Sequence, residues 1–168
     1  MKSIIIAILF ASFLSCGQKV SGTFEYQSLI FDTSKITIFS YDTSLYSFPK
    51  YSTPLPLTNE DIILADSFLT NAVNKFNGKY SRRFYEAFGE RVSIDNFIIN
   101  LSKYRQQYFP YKDGNGQRML EVICFCRAFP QWRTKEFVSS NGDGLSTFTL
   151  RINLSTRQAD NIVIGSFG

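Results

Sequence analysis

The sequence predicts an α+β domain: an N-terminal strand and helices packed on one face of a curled antiparallel sheet of four to five strands. Three observations predict it. Apolar residues recur at helical spacing after residue 58. Residues 103–154 alternate between apolar and polar side chains and are punctuated by Gly-rich turns. Aromatic residues reach 16%, with 17 Phe and 9 Tyr, which favours β-structure. A length of 168 residues suits one domain. Hydrophobic residues at 44% and charged residues at 19% exclude a disordered chain. Histidine is absent, which excludes Ser-His-Asp and Cys-His catalytic sets and His-ligated metal sites.

The chain opens with Lys2 and an uncharged apolar run from Ile4 to Leu14. A membrane-spanning helix needs about 20 apolar residues, so this run is too short and fits the apolar core of a secretory signal peptide. It ends in Phe13-Leu14-Ser15-Cys16, which resembles the lipobox of bacterial lipoproteins, with Phe13 where the usual box has Leu. The relaxed form, Leu-Ser-Cys, looks like those of small Bacteroidota lipoproteins of unknown function. The resemblance implies a diacylglyceryl group on the Cys16 thiol, cleavage before Cys16 and acylation of the new amino terminus. Two or more acyl chains at ~0.8 kcal/mol per buried CH₂ anchor a protein firmly. Residues 1–15 then form the signal peptide, 16–23 a lipidated tether and 24–168 the single α+β domain. The mature chain carries 17 basic and 14 acidic residues, an excess too small to argue for a polyanionic partner. The tether Gly17-Gln18-Lys19-Val20-Ser21-Gly22 lacks the acidic cluster common in surface-exported Bacteroidota lipoproteins. The expected location is therefore the cell envelope, in the outer membrane and facing the periplasm.

Within the domain, Lys35 to Tyr41 reads as a strand, and Pro54 and Pro56 mark a connector that forbids a helix interior. Thr58 is an N-cap with Asp61 at the capping-box position, and Leu57 and Ile62 form a hydrophobic staple. Ile62, Ala65, Leu69, Ala72, Val73 and Phe76 make one apolar face, which Asn77-Gly78 is expected to terminate. A second helix is expected from Ser81 to Phe88, and residues 93–101 lean towards helix. Strands are expected at Lys103 to Tyr111 and Gln117 to Ala128, joined by a turn at Asp113 to Gly116. Further strands are expected at Lys135 to Ser139, Leu145 to Leu154 and Asp160 to Gly165, with a turn at Asn141 to Gly144. This element order resembles the cystatin-like and nuclear-transport-factor-like architectures, in order alone, and so implies nothing about activity.

Cys124-Phe125-Cys126 is the most conspicuous cluster. Residues i and i+2 on a strand stand about 6.5 Å apart, whereas a disulfide brings Cβ atoms to about 3.8 Å. Two reduced core cysteines, a strained disulfide across a bend, and a metal or redox role all remain open. Asp113-Gly-Asn115-Gly-Gln117 is not a calcium loop, because Arg118 and Cys124 occupy the positions that need Gly and Glu. Glu86 and Glu90 are neutralised by Arg82, Arg83 and Arg91 on a solvated helix face. Glu121 lies on the half-polar sheet face with Arg127, and Arg105 and Arg151 join it if neighbouring strands pair in simple order, near Tyr108 or Phe109. The concave face of a curled sheet is a common ligand site. Trp132, in the loop from Ala128 to Lys135, is a candidate interface anchor.

No catalytic set, cofactor site or metal site is recognisable. The expected function is a lipid-anchored, non-enzymatic binding or interaction module with a protein partner or a small ligand. Alternatives are a small-ligand carrier or enzyme with its pocket on the sheet face, and an inhibitor or immunity-type protein. Nucleic acid is excluded as a partner by the expected compartment.

Overall fold

A computed structural model describes residues 33–88, 93–140 and 142–165. Residues 1–23, including Cys16, and Phe24, Glu90, Arg91 and Asn141 lie outside them. The described chain contains β1 (Ile36–Ile38), β2 (Thr53–Pro54), α1 (Asn59–Phe88), β3 (Arg105–Lys112), β4 (Arg118–Phe125), β5 (Thr147–Asn153), β6 (Gln158–Ala159) and β7 (Val163–Ile164). The class is α+β: one long helix against an open, curled sheet of seven strands in the order β1-β3-β4-β5-β6, with β2 on β3 and β7 on β5.

The central meander β3-β4-β5 is antiparallel, as the alternation requires. The Asp113 side chain sets its first turn by accepting from the backbone N–H groups of Asn115 and Gln117 at 2.9 Å each. Gly116 takes φ +76° there, a conformation open to glycine. The early strand is shorter than expected and runs parallel to β3, so the sheet is mixed.

Pro110 sits inside β3, where a missing N–H normally disrupts a central strand. Here the β1-side edge is shared: β1 pairs with Gln106–Tyr108 and β2 with Tyr111–Lys112. The Tyr108 carbonyl faces that edge and accepts from Phe39 N–H at 2.9 Å. Backbone groups alternate in direction, so the Pro110 nitrogen faces the gap between the two partners, where no donor is needed.

One sheet face packs on α1. Tyr108, Leu120, Val122, Cys124, Phe148, Leu150 and Ile152 meet Ala65, Leu69, Val73 and Phe76 in the main core. The capping box forms: Thr58 N–H donates to Asp61 Oδ2 at 2.8 Å, and Asp61 N–H donates to Thr58 Oγ1 at 3.3 Å. Arg118, the first residue of β4, also pairs with the buried Asp61 carboxylate, tying the helix start to the hairpin.

The helix does not stop at Asn77-Gly78, as the sequence reading expects, but runs on to Phe88 and absorbs the expected second helix. The reason is tertiary. The Asn77 side chain donates to Ile99 O and accepts from Ile99 N–H, each at 2.9 Å, which ties this turn of the helix to the segment that follows it. Ser81 donates to Phe97 O at 2.7 Å one turn later. These bonds hold residues 93–103, which contain two 3-10 turns rather than an α-helix.

The second sheet face is covered at one end by loops. Phe39, Phe109, Ile123, Phe125 and Trp132 form a second core with Tyr46, Phe48, Phe129 and Phe137. Phe125 stacks on Phe137 at 4.4 Å and Phe109 on Phe39 at 4.8 Å. The expected strand at 135–139 is part of this covering and is irregular. Gln107, fully buried, takes the place of a ladder: Nε2 donates to the carbonyls of Trp132 and Lys135 at 2.6 and 2.7 Å, and Oε1 accepts from Phe137 N–H at 2.7 Å.

Two substitutions test this account. Gly78 is exposed, helical and has nothing within 4 Å of an added Cβ. Gly78→Ala is expected to raise stability by about 0.5–1 kcal/mol, because alanine loses less backbone entropy in a helix. Gln107→Leu leaves two carbonyls and one N–H without their partner and is expected to cost about 2–3 kcal/mol. Urea unfolding followed through Trp132 fluorescence reads both; a neutral Gln107→Leu would show that the loop is held by its aromatic contacts alone.

Candidate functional site

A well-formed cavity lies outside the sheet face on which the sequence expectation centres. It is a groove of about 380 Å³ between one flank of α1 and the C-terminal segment 159–164. Its helix wall carries Phe68, Ala72, Phe76, Tyr80 and Phe84, a strict i, i+4 ridge. Phe76 lies 5.5 Å from Tyr80 and 6.2 Å from Phe84, ring to ring. Ile162 and Ile164 form the opposite wall. Lys75 on the rim donates to the Asn161 side-chain oxygen at 3.4 Å. The groove exists because the outermost strand is broken. Ala159 pairs with Ile152 and Val163 with Thr149, which leaves one extra residue between the two short pairings. This bulge carries residues 161 and 162 out of the ladder.

Of the residues singled out from sequence, Glu121 and Arg151 do come together. They are directly opposed on β4 and β5, with 3.8 Å between Arg151 Nη2 and Glu121 Oε2. Their side chains are 32% and 51% exposed, on the part of the second face that the loops leave open. Arg127 does not join them. Strand β4 ends at Phe125, and Arg127 turns away to pair with Asp143. Arg105 is at the far end of β3, 5.6 Å from the centre of the Trp132 ring. Trp132 is 8% exposed and belongs to the second core, with the Arg133 guanidinium 4.3 Å above its ring. Its indole is mostly covered, which leaves little of it for a partner.

The cysteines part company for the same reason as Arg127. Cys124 and Cys126 are both free; Cys124 is buried against α1, whereas Cys126 lies beyond the strand and is exposed. Burial pushes the Cys124 thiol well above its usual range. Cys126 is therefore not a core residue, and the strand expected to reach Ala128 stops three residues early.

Asp143 is an unforeseen organiser. Its carboxylate accepts from Ser140 N–H at 2.6 Å, from the hydroxyls of Ser140 and Ser139 at 3.1 Å each, and from Arg127. The Ser140 backbone bond first, then the two serine hydroxyls and Arg127, hold this carboxyl below the usual carboxylate range against the opposing effect of burial. The cluster closes the loop that carries Trp132.

Among the described residues no helix is long and apolar enough to cross a membrane. Comparison of the chain with known protein families, with curated proteins and with solved structures found no match.

The apparent helix terminus at Asn77-Gly78 hides the groove from a reading of the sequence. The signal was present: the ridge from Phe68 to Phe76 continues in register through Tyr80 and Phe84.

The Asp143 cluster sets a pH dependence. A carboxyl whose folded pKa lies below its unfolded value, about 3.9, contributes stability that is present above that value. That stability is lost as pH falls through the folded pKa. Asp143→Asn is expected to lower stability at neutral pH, with the deficit shrinking as pH drops below about 4. Urea unfolding across this range checks it; a deficit that stays constant would assign the effect to hydrogen-bond geometry rather than charge.

Proposed function

We propose that this chain is a lipid-anchored cell-envelope protein, held in the outer membrane and facing the periplasm through acyl chains on Cys16. Its domain is a non-enzymatic binding module that uses the α1 groove to hold a segment of another envelope protein. The anchor rests on the apolar run and Phe13-Leu14-Ser15-Cys16. The groove is the observation that carries the binding role. A row of aromatic rings beside solvent, rimmed by Lys75, Asp160 and Asn161, has the make-up of a recognition surface: apolar centre, polar edge.

The groove's position favours a polypeptide occupant over a small molecule. It is open along the helix and adjoins β7, the outermost described strand on its side of the sheet. An extended segment can pair with such an edge while its side chains enter the groove. The Glu121–Arg151 pair, which supports the carrier or enzyme alternative, sits on an open face and is satisfied by its own partner.

Native and denaturing mass spectrometry of the protein, extracted gently from its own membranes, tests both parts. The denaturing mass is expected to show acyl chains and loss of residues 1–15. The native mass is expected to show a bound protein, absent when Ala72→Arg places a charge in the groove. A bound small molecule lost in the same variant would favour the carrier alternative. A protein retained by Ala72→Arg would move the contact elsewhere, and an unacylated chain would remove the anchor.

A further inference from the structure

One end of the sheet carries a cluster of exposed basic side chains, and it is the end at which the described chain begins. Arg105 opens β3, Lys103 closes the 3-10 turn just before it, and Arg133 lies in the loop alongside; all three are exposed. The Arg105 and Arg133 guanidinium groups share one indole, at 5.6 and 4.3 Å from the Trp132 ring centre. Arg133 Nη2 also donates to Ser34 O at 2.6 Å, and Lys35 Nζ donates to Ser102 O at 2.6 Å. The first described residues are thus clasped by this basic end. The ion pairs among the described residues use Arg82, Arg118, Arg127 and Arg151, and none uses Lys103, Arg105 or Arg133.

We propose that this end docks against anionic phospholipid headgroups of the membrane that holds the anchor. The inference rests on lipidation at Cys16. The chain from Cys16 to Thr33 spans at most roughly 60 Å when fully extended. The covalent link therefore confines the domain near the membrane without fixing its orientation. Thr33 lies within that reach of the anchor, and these charges lie beside its neighbours Ser34 and Lys35, so an attraction at this end orients the domain. Guanidinium groups present forked donors that match phosphate oxygens. Stacking on an indole already seated in the core holds the two guanidinium groups in place, so little side-chain entropy is lost on docking.

The test uses the full lipidated chain and its single tryptophan, Trp132, which lies at the basic end. The protein is reconstituted on vesicles of phosphatidylcholine alone and on equimolar phosphatidylcholine and phosphatidylglycerol, each with a trace of dansyl-labelled lipid. Energy transfer from Trp132 to dansyl is expected to rise on the phosphatidylglycerol vesicles and to fall back in high salt. Removing one charge, by Lys103→Gln or Arg133→Gln, is expected to weaken docking about fivefold. The ratio between the two vesicle types within each variant cancels any change in tryptophan emission. Lys103→Gln alters an exposed side chain and guards against a folding effect. Equal transfer on both vesicle types overturns the proposal and leaves this end as solvated surface or a protein contact. Failure of the anchor reads separately, as a chain that does not co-float with phosphatidylcholine vesicles. In that case, binding of the unanchored chain to phosphatidylglycerol vesicles alone supports the basic end, and absence of binding overturns it.

Discussion

Six consecutive residues of β3, from Gln106 to Tyr111, are buried, although the described residues contain only one long helix with which to cover the sheet. A strand with both faces buried needs two covering layers. Helix α1 supplies one; the second has to come from loops, whose backbone groups require partners once removed from water. Gln107 meets that need at the point of greatest burial, with two donors and one acceptor directed at three loop residues. The aromatic cluster around Phe125 and Phe109 then adds area, but the amide determines where the loop lies. Asp143 closes the same loop from its other end. The loop that presents Arg133 is therefore fixed at two places by buried polar groups rather than by sheet pairing.

The first face follows a different logic. Helix α1 is fixed at its start by Asp61, which serves the capping box and Arg118 at once, and along its second half by Asn77 and Ser81. A helix held at both ends across a twisted sheet cannot cover the whole sheet. Its i, i+4 aromatic ridge lines the groove on one side, and the bulge at residues 161–162 leaves the facing strand too irregular to close the gap. The groove is the consequence of one long helix flank facing a broken edge.

The distribution of charge connects these features. Asp61 and Asp143 are buried, and each is committed to an internal partner, Arg118 or Arg127. Structural work thus consumes carboxylates, and among the described residues Arg105 and Arg133 enter no ion pair. A net charge of only +4 over the whole chain is compatible with one distinctly basic end. The basic end and the groove lie at different places on the fold, so membrane contact and partner contact need not compete.

Period and turn chemistry were legible in the sequence because they are local. The apolar stripe from Ile62 to Phe76, the capping box at Thr58, the hairpin at Asp113 and the alternation of β4 and β5 each depend on residues within a few positions of one another. The α+β class followed from them, as did the opposition of Glu121 and Arg151, which needs only simple strand order. What sequence could not decide was which local signals tertiary contacts would override. Asn77-Gly78 has the make-up of a helix terminus, yet Ile99, 22 residues away, takes the Asn77 amide and the helix continues. Cys126 and Arg127 continue the alternation of β4, yet the strand ends at Phe125, and Arg127 turns to Asp143, 16 residues on. Trp132 looks like a surface anchor, but a strand buried on both faces draws it inward. Local physics determined the elements; long-range partners for buried amides and carboxylates decided where those elements end, and so where the groove and the basic end lie.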